Sequence, residues 1–289
     1  MNNSYTSSVT RIPLLGIVIP LLLASFPAHA ETTNCTAITS LPAVITAQGV
    51  YCFTGNLSTS MTSGNAITIN ANNVTLDLNG YKLGGLGAGD STETVGIYAS
   101  QRKNITIKNG IIRGFQVGIG LDDSSPYTNS SGHVVKEILA DQNTRAGIEV
   151  AGVGNTVSEN TVVDTGGTTF ALDVGGIVVF GSGAKVTDNA VSTTTATSTN
   201  QSAGIYFEEA NYSLVQNNTV TDTLSQTGPS AGIYIDSSSG VFLRNNKLAN
   251  ADNGLVFNGS SGKYFNTLTF DIPTVDRFIG GTAVGNNNN

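Results

Sequence analysis

Apolar residues recur along this chain in short alternating runs, most of them opened by a glycine. Gly96-Ile97, Gly118-Ile119, Gly147-Ile148, Gly176-Ile177, Gly204-Ile205, Gly232-Ile233 and Gly254-Leu255 begin successive units, and Ala66-Ile67 begins an earlier, imperfect one. The glycines are 22, 29, 29, 28, 28 and 22 residues apart. A base unit of about 22 residues therefore takes insertions of six or seven. Within a unit the alternation has period 2, as in Ile97-Tyr98-Ala99, Ile105-Thr106-Ile107 and Gly110-Ile111-Ile112, or Ile233-Tyr234-Ile235, Val241-Phe242-Leu243 and Lys247-Leu248. Period 2 predicts strands. Strands this short cannot bury a face alone, but stacked units can, because like residues then fall into inward columns. Three short strands per unit predict an all-β, single-domain right-handed parallel β-helix, a solenoid of roughly 22-residue coils with loop insertions. A leucine-rich repeat of similar period needs L-x-x-L-x-L-x-x-N and a helical segment, and a β-propeller needs a period of about 40. Neither pattern is present.

A second periodicity supports the register. Asn79, Asn109, Asn160, Asn189, Asn217 and Asn245 each stand 13 residues after a unit start. Stacked at a turn, such side chains are expected to hydrogen-bond along the coil axis as an internal ladder. The unit at Gly118 departs from the pattern because Asp123–Gly132 is inserted in it.

The two ends read differently. Residues 1–30 have a polar start ending in Arg11, an apolar stretch from Ile12 to Phe26, and Ala28-His29-Ala30, which together predict a cleaved signal peptide. The stretch contains Pro13 and Pro20 and is shorter than the span of about 20 residues a membrane helix needs, so no stable transmembrane anchor is expected. Export places Cys35 and Cys52 in an oxidising compartment and predicts a disulfide between them. The expected organisation is a signal peptide over 1–30, an N-terminal cap with the disulfide over 31–65, β-helix repeats over 66–258, and a C-terminal cap with an Asn-rich tail over 259–289. The expected location is secreted or periplasmic.

Composition narrows the function classes. Charged residues make up 11% of the chain, and the net charge is −7. Regular Val, Ile and Leu at low charge argue against disorder. The scarcity of strong helix formers beside 34 glycines argues against a helical bundle. Few cations and an acidic balance exclude nucleic acid as a partner.

Gly232-Ile233-Tyr234-Ile235 followed by Asn245-Asn246 resembles the pectin-lyase-like superfamily, in particular its NosD-type right-handed β-helix repeat proteins. The resemblance covers roughly residues 66–258. It implies the fold and an association with polysaccharide, as lyase, hydrolase, epimerase, phage tailspike or non-enzymatic surface protein. The motifs that would choose among these are absent. There is no Gly-His-Gly or Asp-Pro-His-Asp, Asp122-Asp123 stands alone, and Arg145 precedes a Gly-Ile strand without a lyase motif around it. The copper-delivery branch of the family is not expected either, since His133 and Met61 are the only soft or imidazole ligands left besides the cysteines after residue 30.

Strand alternation maps the outward face. In each Gly-Ile strand the residue after glycine points inward. One outward column is then Tyr98, Gly120, Glu149, Val178, Tyr206, Tyr234 and Val256, and the next is Ser100, Asp122, Ala151, Phe180, Glu208, Asp236 and Asn258. Insertions over 123–132, 165–175, 194–203 and 223–231 flank the same strand and predict a groove along the axis. Polysaccharide is the expected partner, because rings can stack on sugar faces and carboxylates accept from sugar hydroxyls.

The candidate catalytic residues are Glu208 and Asp236, followed by Glu149 and Asp122. The candidate sugar platforms are Tyr206, Tyr234, Tyr98 and Phe180. Glu208 and Asp236 should lie one coil apart, about 4.8 Å, and Glu149 and Glu208 two coils, about 9.6 Å. Those separations bracket retaining and inverting glycoside hydrolysis. No cofactor is called for, although the four acids could supply oxygens to calcium. His133 is expected at a loop end, and Glu209 in a turn. A non-enzymatic, exported glycan-binding or scaffold protein is the alternative. The sequence sets no oligomeric state.

Overall fold

Among the described residues every strand-to-strand pairing is parallel and joins successive coils. In the computed structural model, residues 33–197, 199–273, 278–285 and 287 are described. The proposed signal peptide and all of the Asn-rich tail except Asn287 lie outside the described residues. One row forms a ten-stranded parallel sheet running from Ala43–Ile45 to Phe278–Ile279. The remaining strands form two further rows. They join where the long strands Ile105–Arg113 and Val134–Asp141 each span both. The described residues form a parallel β-solenoid, and their one helical element is the 3-10 turn Leu86–Ala88. None of their helices is long and apolar enough to cross a membrane.

The inward column matches the alternation read from the sequence. Ile67, Ile97, Ile119, Ile148, Ile177, Ile205, Ile233 and Leu255 pair in succession, and all are fully buried. A glycine precedes seven of the eight, the exception being Ala66 before Ile67, and its origin is steric. A Cβ at Gly204 would lie 2.1 Å from Val220 Cγ1, and one at Gly147 would lie 2.5 Å from Val162 Cγ1. In these coils the corner is too narrow for a side chain.

Parallel pairing extends beyond residues 66–258 at both ends, from Thr36↔Tyr51 to Lys263↔Thr282. Cys35 and Cys52 are disulfide-bonded, with Cα atoms 5.8 Å apart.

The Asn ladder is present, with four of its predicted members displaced. The buried row is Asn160, Asn189, Asn218 and Asn246. Each Oδ1 of the later three accepts from the backbone N–H and Nδ2 of the asparagine one coil earlier, at 3.0–3.1 Å. Asn217 and Asn245 are instead exposed turn residues at φ 57° and 55°, and Asn79 and Asn109 also sit at positive φ. For Asn217 and Asn245 the cause is one extra residue. Lys185 pairs with Leu214, so the turn after Glu208 is one residue longer than the turn after Phe180, and counting from the glycine slips by one. Asn tolerates the left-handed turn conformation better than most residues, which explains why Asn-Asn pairs serve both positions.

His133 stands at the loop end, directly before the strand Val134–Asp141. It is buried, and its Nδ1 accepts from the Ile105 N–H at 3.3 Å, while its own N–H donates to Asn155 Oδ1 at 3.0 Å. It fills in one coil the acceptor role that Asn155 fills in the next. Burial lowers its pKa to about 4, against a smaller opposing pull from Asp123.

Candidate functional site

Both outward columns run along the ten-stranded sheet in the anticipated register. Tyr98, Gly120, Glu149, Val178, Tyr206, Tyr234 and Val256 pair in order. Ala151, Phe180, Glu208, Asp236 and Asn258 do the same. The side chains of Phe180, Tyr206, Glu208, Tyr234 and Asp236 are all partly exposed. They converge on one patch.

The Tyr206 hydroxyl lies at the centre of that patch. Its oxygen is 3.2 Å from Glu208 Oε2 and 3.5 Å from Asp236 Oδ2. Burial raises the Tyr206 pKa, and the negative charges of Glu208 and Asp236 raise it further, so the hydroxyl keeps its proton. One O–H can donate to one carboxylate at a time. Asp236 Oδ1 also accepts from Asn258 Nδ2 at 3.0 Å and from Ser237 Oγ at 3.3 Å. Tyr234 stacks on Tyr206, with centroids 5.8 Å apart, and burial followed by Asp236 raises its pKa as well.

The row of rings continues through a residue that the sequence reading missed. Tyr127 stacks on Phe180 at 5.3 Å, and Phe180 meets Tyr206 edge-on at 6.4 Å. Tyr127 belongs to the 123–132 insertion, which folds back over the sheet. Buried Asp123 holds this loop, accepting from the Asn129 and Ser130 amides at 2.8 Å and from the Ser124 amide at 2.9 Å. Burial raises the Asp123 pKa, but the bonds from Ser130, Ser124 and Asn129 outweigh it and leave the carboxyl below its ordinary range. Ser125 Oγ donates to Glu209 Oε2 at 3.2 Å, so Glu209, at a turn with φ 50°, pins the loop rather than merely facing solvent. Burial raises the Tyr127 pKa, followed by the charges of Glu208, Glu209, Asp122 and Glu149.

The other two acids have separate partners. Glu149 Oε2 pairs with Arg145 at 2.5 Å. Asp122 Oδ2 accepts from the Tyr98 hydroxyl at 3.4 Å, and Tyr98 stands four coils from Tyr206, about 19 Å along the stack. Among the described residues, no group of three or more His, Cys, Asp and Glu is arranged to hold a metal ion.

A hollow of about 210 Å³ opens beside the patch, between the insertions 165–175 and 194–203, and reaches Phe180, Tyr206 and Glu208. A larger, more open hollow of about 530 Å³ lies on another face beside Ser58, Lys82 and Arg113. Its guanidinium is engaged by Asp141 at 3.0 Å, and no ring or carboxylate pair lines it.

Residues 142–289 match the family described as right-handed β-helix region. No curated protein sequence gives a significant match. The structure resembles the enzymatically active domain of bacteriophage CBA120 tailspike protein 2, with a TM-score of 0.60 and 16% identity over 83% of this chain. It resembles the catalytic domain of a GH87 α-1,3-glucanase in complex with nigerose at 0.53 and 13% over 87%, and the Dettilon tailspike protein at 0.50 and 13% over 87%. This chain spans 42%, 63% and 54% of those three chains. At such identities the likeness establishes the shared fold alone.

Proposed function

The chain belongs to the right-handed β-helix family, and we propose that it is an extracytoplasmic, carbohydrate-active member that binds an extended glycan along the ten-stranded face and hydrolyses it with Glu208 and Asp236. The observation that carries this reading is the Tyr206 hydroxyl, within 3.2 Å of one carboxylate and 3.5 Å of the other. Glycoside hydrolysis needs one protonated and one ionised carboxyl group on either side of the scissile bond. A single phenol placed between the two carboxyl groups can donate to either of them and hold both on the same side of the face. The row Tyr127, Phe180, Tyr206 and Tyr234 lines the face with contiguous apolar ring surface against which sugar C–H groups can pack. Tyr98 and Asp122 would serve the far end of the groove, and Glu149 would orient Arg145. The Cys35–Cys52 disulfide supports an oxidising location. The Asn-Asn turns favour the NosD-type branch of the family.

The test is a polysaccharide screen read by new reducing ends and by the ultraviolet absorbance of unsaturated ends. Hydrolysis gives the first signal without the second. Glu208→Gln should then lower turnover by about 100-fold with folding intact. Both signals together would make the protein a lyase. Binding without product would make it a non-enzymatic glycan-binding module. An active enzyme indifferent to Glu208→Gln would move the site elsewhere.

A further inference from the structure

The 210 Å³ hollow beside Glu208 has a chemistry of its own. The outward column at its floor begins with Val95 and Val117, then changes to Ala146, Gly175, Ala203 and Ala231. The shrinkage of these side chains opens the space. A Cβ on Gly175 would lie 2.4 Å from Val178 Cγ2, so that position has no room even for alanine while Val178 keeps its place. Val174, Val178 and Ala203 supply an apolar wall. Gln201 also lines the hollow, fixed by its backbone N–H, which donates to Asp173 Oδ1 at 2.8 Å. Its side-chain Nε2 is shielded from solvent, and among the described residues nothing accepts from it.

Resting on the glycan reading above, we propose that this hollow is a subsite for one sugar ring carrying an acetamido group. The hollow lies below the usual volume of a pocket for a larger ligand, which suits a single ring. A secondary amide brings a donor, an acceptor and a methyl group. Gln201 can pair with it whichever way its own amide is turned, and the methyl packs on Val174, Val178 and Ala203. A plain hydroxyl pressed against that wall loses water without gaining a partner. A uronate carboxylate meets Asp173 and Glu208, while Arg145, the one cation lining the hollow, is already engaged by Glu149.

Free monosaccharides test the subsite without knowledge of the linkage. In saturation-transfer NMR, N-acetylglucosamine or N-acetylgalactosamine should receive saturation most strongly at the acetamido methyl. The acetylated sugars should bind about tenfold or more tightly than glucose, galactose or glucuronate. Gln201→Leu removes the amide at similar size, and Ala203→Val restores the side chain found at Val117. Each should abolish the preference, with secondary structure and melting temperature preserved. Asn217→Gly, at an exposed turn away from the hollow and the ring row, should leave the ratio unchanged. Equal binding of plain and acetylated sugars, preference for glucuronate, or a preference that survives both variants overturns the subsite. So does silence from every monosaccharide in a protein that still binds polysaccharide, and each of these leaves the groove reading standing. Silence from monosaccharides and polysaccharides alike overturns both.

Discussion

Replacing Asn189 by alanine removes the centre of the buried ladder. The Oδ1 of Asn189 accepts from Asn160 N–H and Nδ2, and its Nδ2 donates to Val157 O at 2.9 Å and to Asn218 Oδ1 at 3.0 Å. Two of those four partners keep another bond. Asn160 Nδ2 still donates to Val135 O, and Asn218 Oδ1 still accepts from the backbone N–H of residue 189. The Asn160 N–H and the Val157 carbonyl lose the bond. An orphaned buried donor costs about 1–3 kcal/mol, and a carbonyl with a second lone pair costs less. The sum is about 3 kcal/mol, which for a chain of this size lowers the melting temperature by roughly 6–12 °C.

The control is Asn217→Gly. Asn217 is exposed at φ 57°, a conformation that glycine adopts freely, and its amide only bridges Asp188 and Asn245 at the surface. That change should cost a few tenths of a kcal/mol. Thermal and urea unfolding followed by circular dichroism measure both. Equal shifts in the two variants, or a shift below about 2 °C for Asn189→Ala, would refute the assignment of the buried row.

Thr193 has φ 53° in a turn column whose neighbours one coil away are Asp164 and Asp222, followed by Asn250. A β-branched residue is strained there, so Thr193→Asn should raise stability by about 1 kcal/mol, and a lowered melting temperature would count against it. His133 has a folded-state pKa of about 4, below its ordinary 6.5. Between those values the unfolded chain binds more protons. The stability is therefore complete above pH 6.5 and is lost as pH falls towards 4, by about 3 kcal/mol in total. His133→Asn keeps an acceptor for Ile105 N–H and removes the titration, so its melting temperature should fall less between pH 7 and 4 than that of the wild type. Parallel curves would refute the neutral, buried histidine.

The sequence revealed whatever the period of 2 could carry. Once Ile205 and Ile233 are inward, Tyr206, Glu208, Tyr234 and Asp236 must share the outer face, and parallel pairing without bulges delivers them to adjacent coils. The glycine count failed where a turn changed length. The extra residue after Glu208 falls in the turn before Leu214, outside the alternating runs, so it leaves no mark in the period-2 pattern. Tyr127 was illegible for a different reason. Its position depends on Asp123 binding three backbone amides within an irregular insertion, a tertiary arrangement with no periodicity to reveal it. The columns also could not show that Glu149 is engaged by Arg145, because the arginine stands just before its strand.

The buried asparagines also give the solenoid an electrical direction. Every carbonyl in the row accepts from the coil before it, and every amide donates to an oxygen in the coil after it, from Asn160 through Asn218. Their dipoles therefore align head to tail, and each polarises the next. A break at Asn189 divides the row and weakens the bonds on both sides of it. A break at Asn246, where the side-chain chain ends on the Val215 carbonyl, takes the acceptor from Asn218 but leaves the rest of the row joined. The same residue type thus contributes more to stability in the middle coils, which carry the ring-lined face, than at the end of the row.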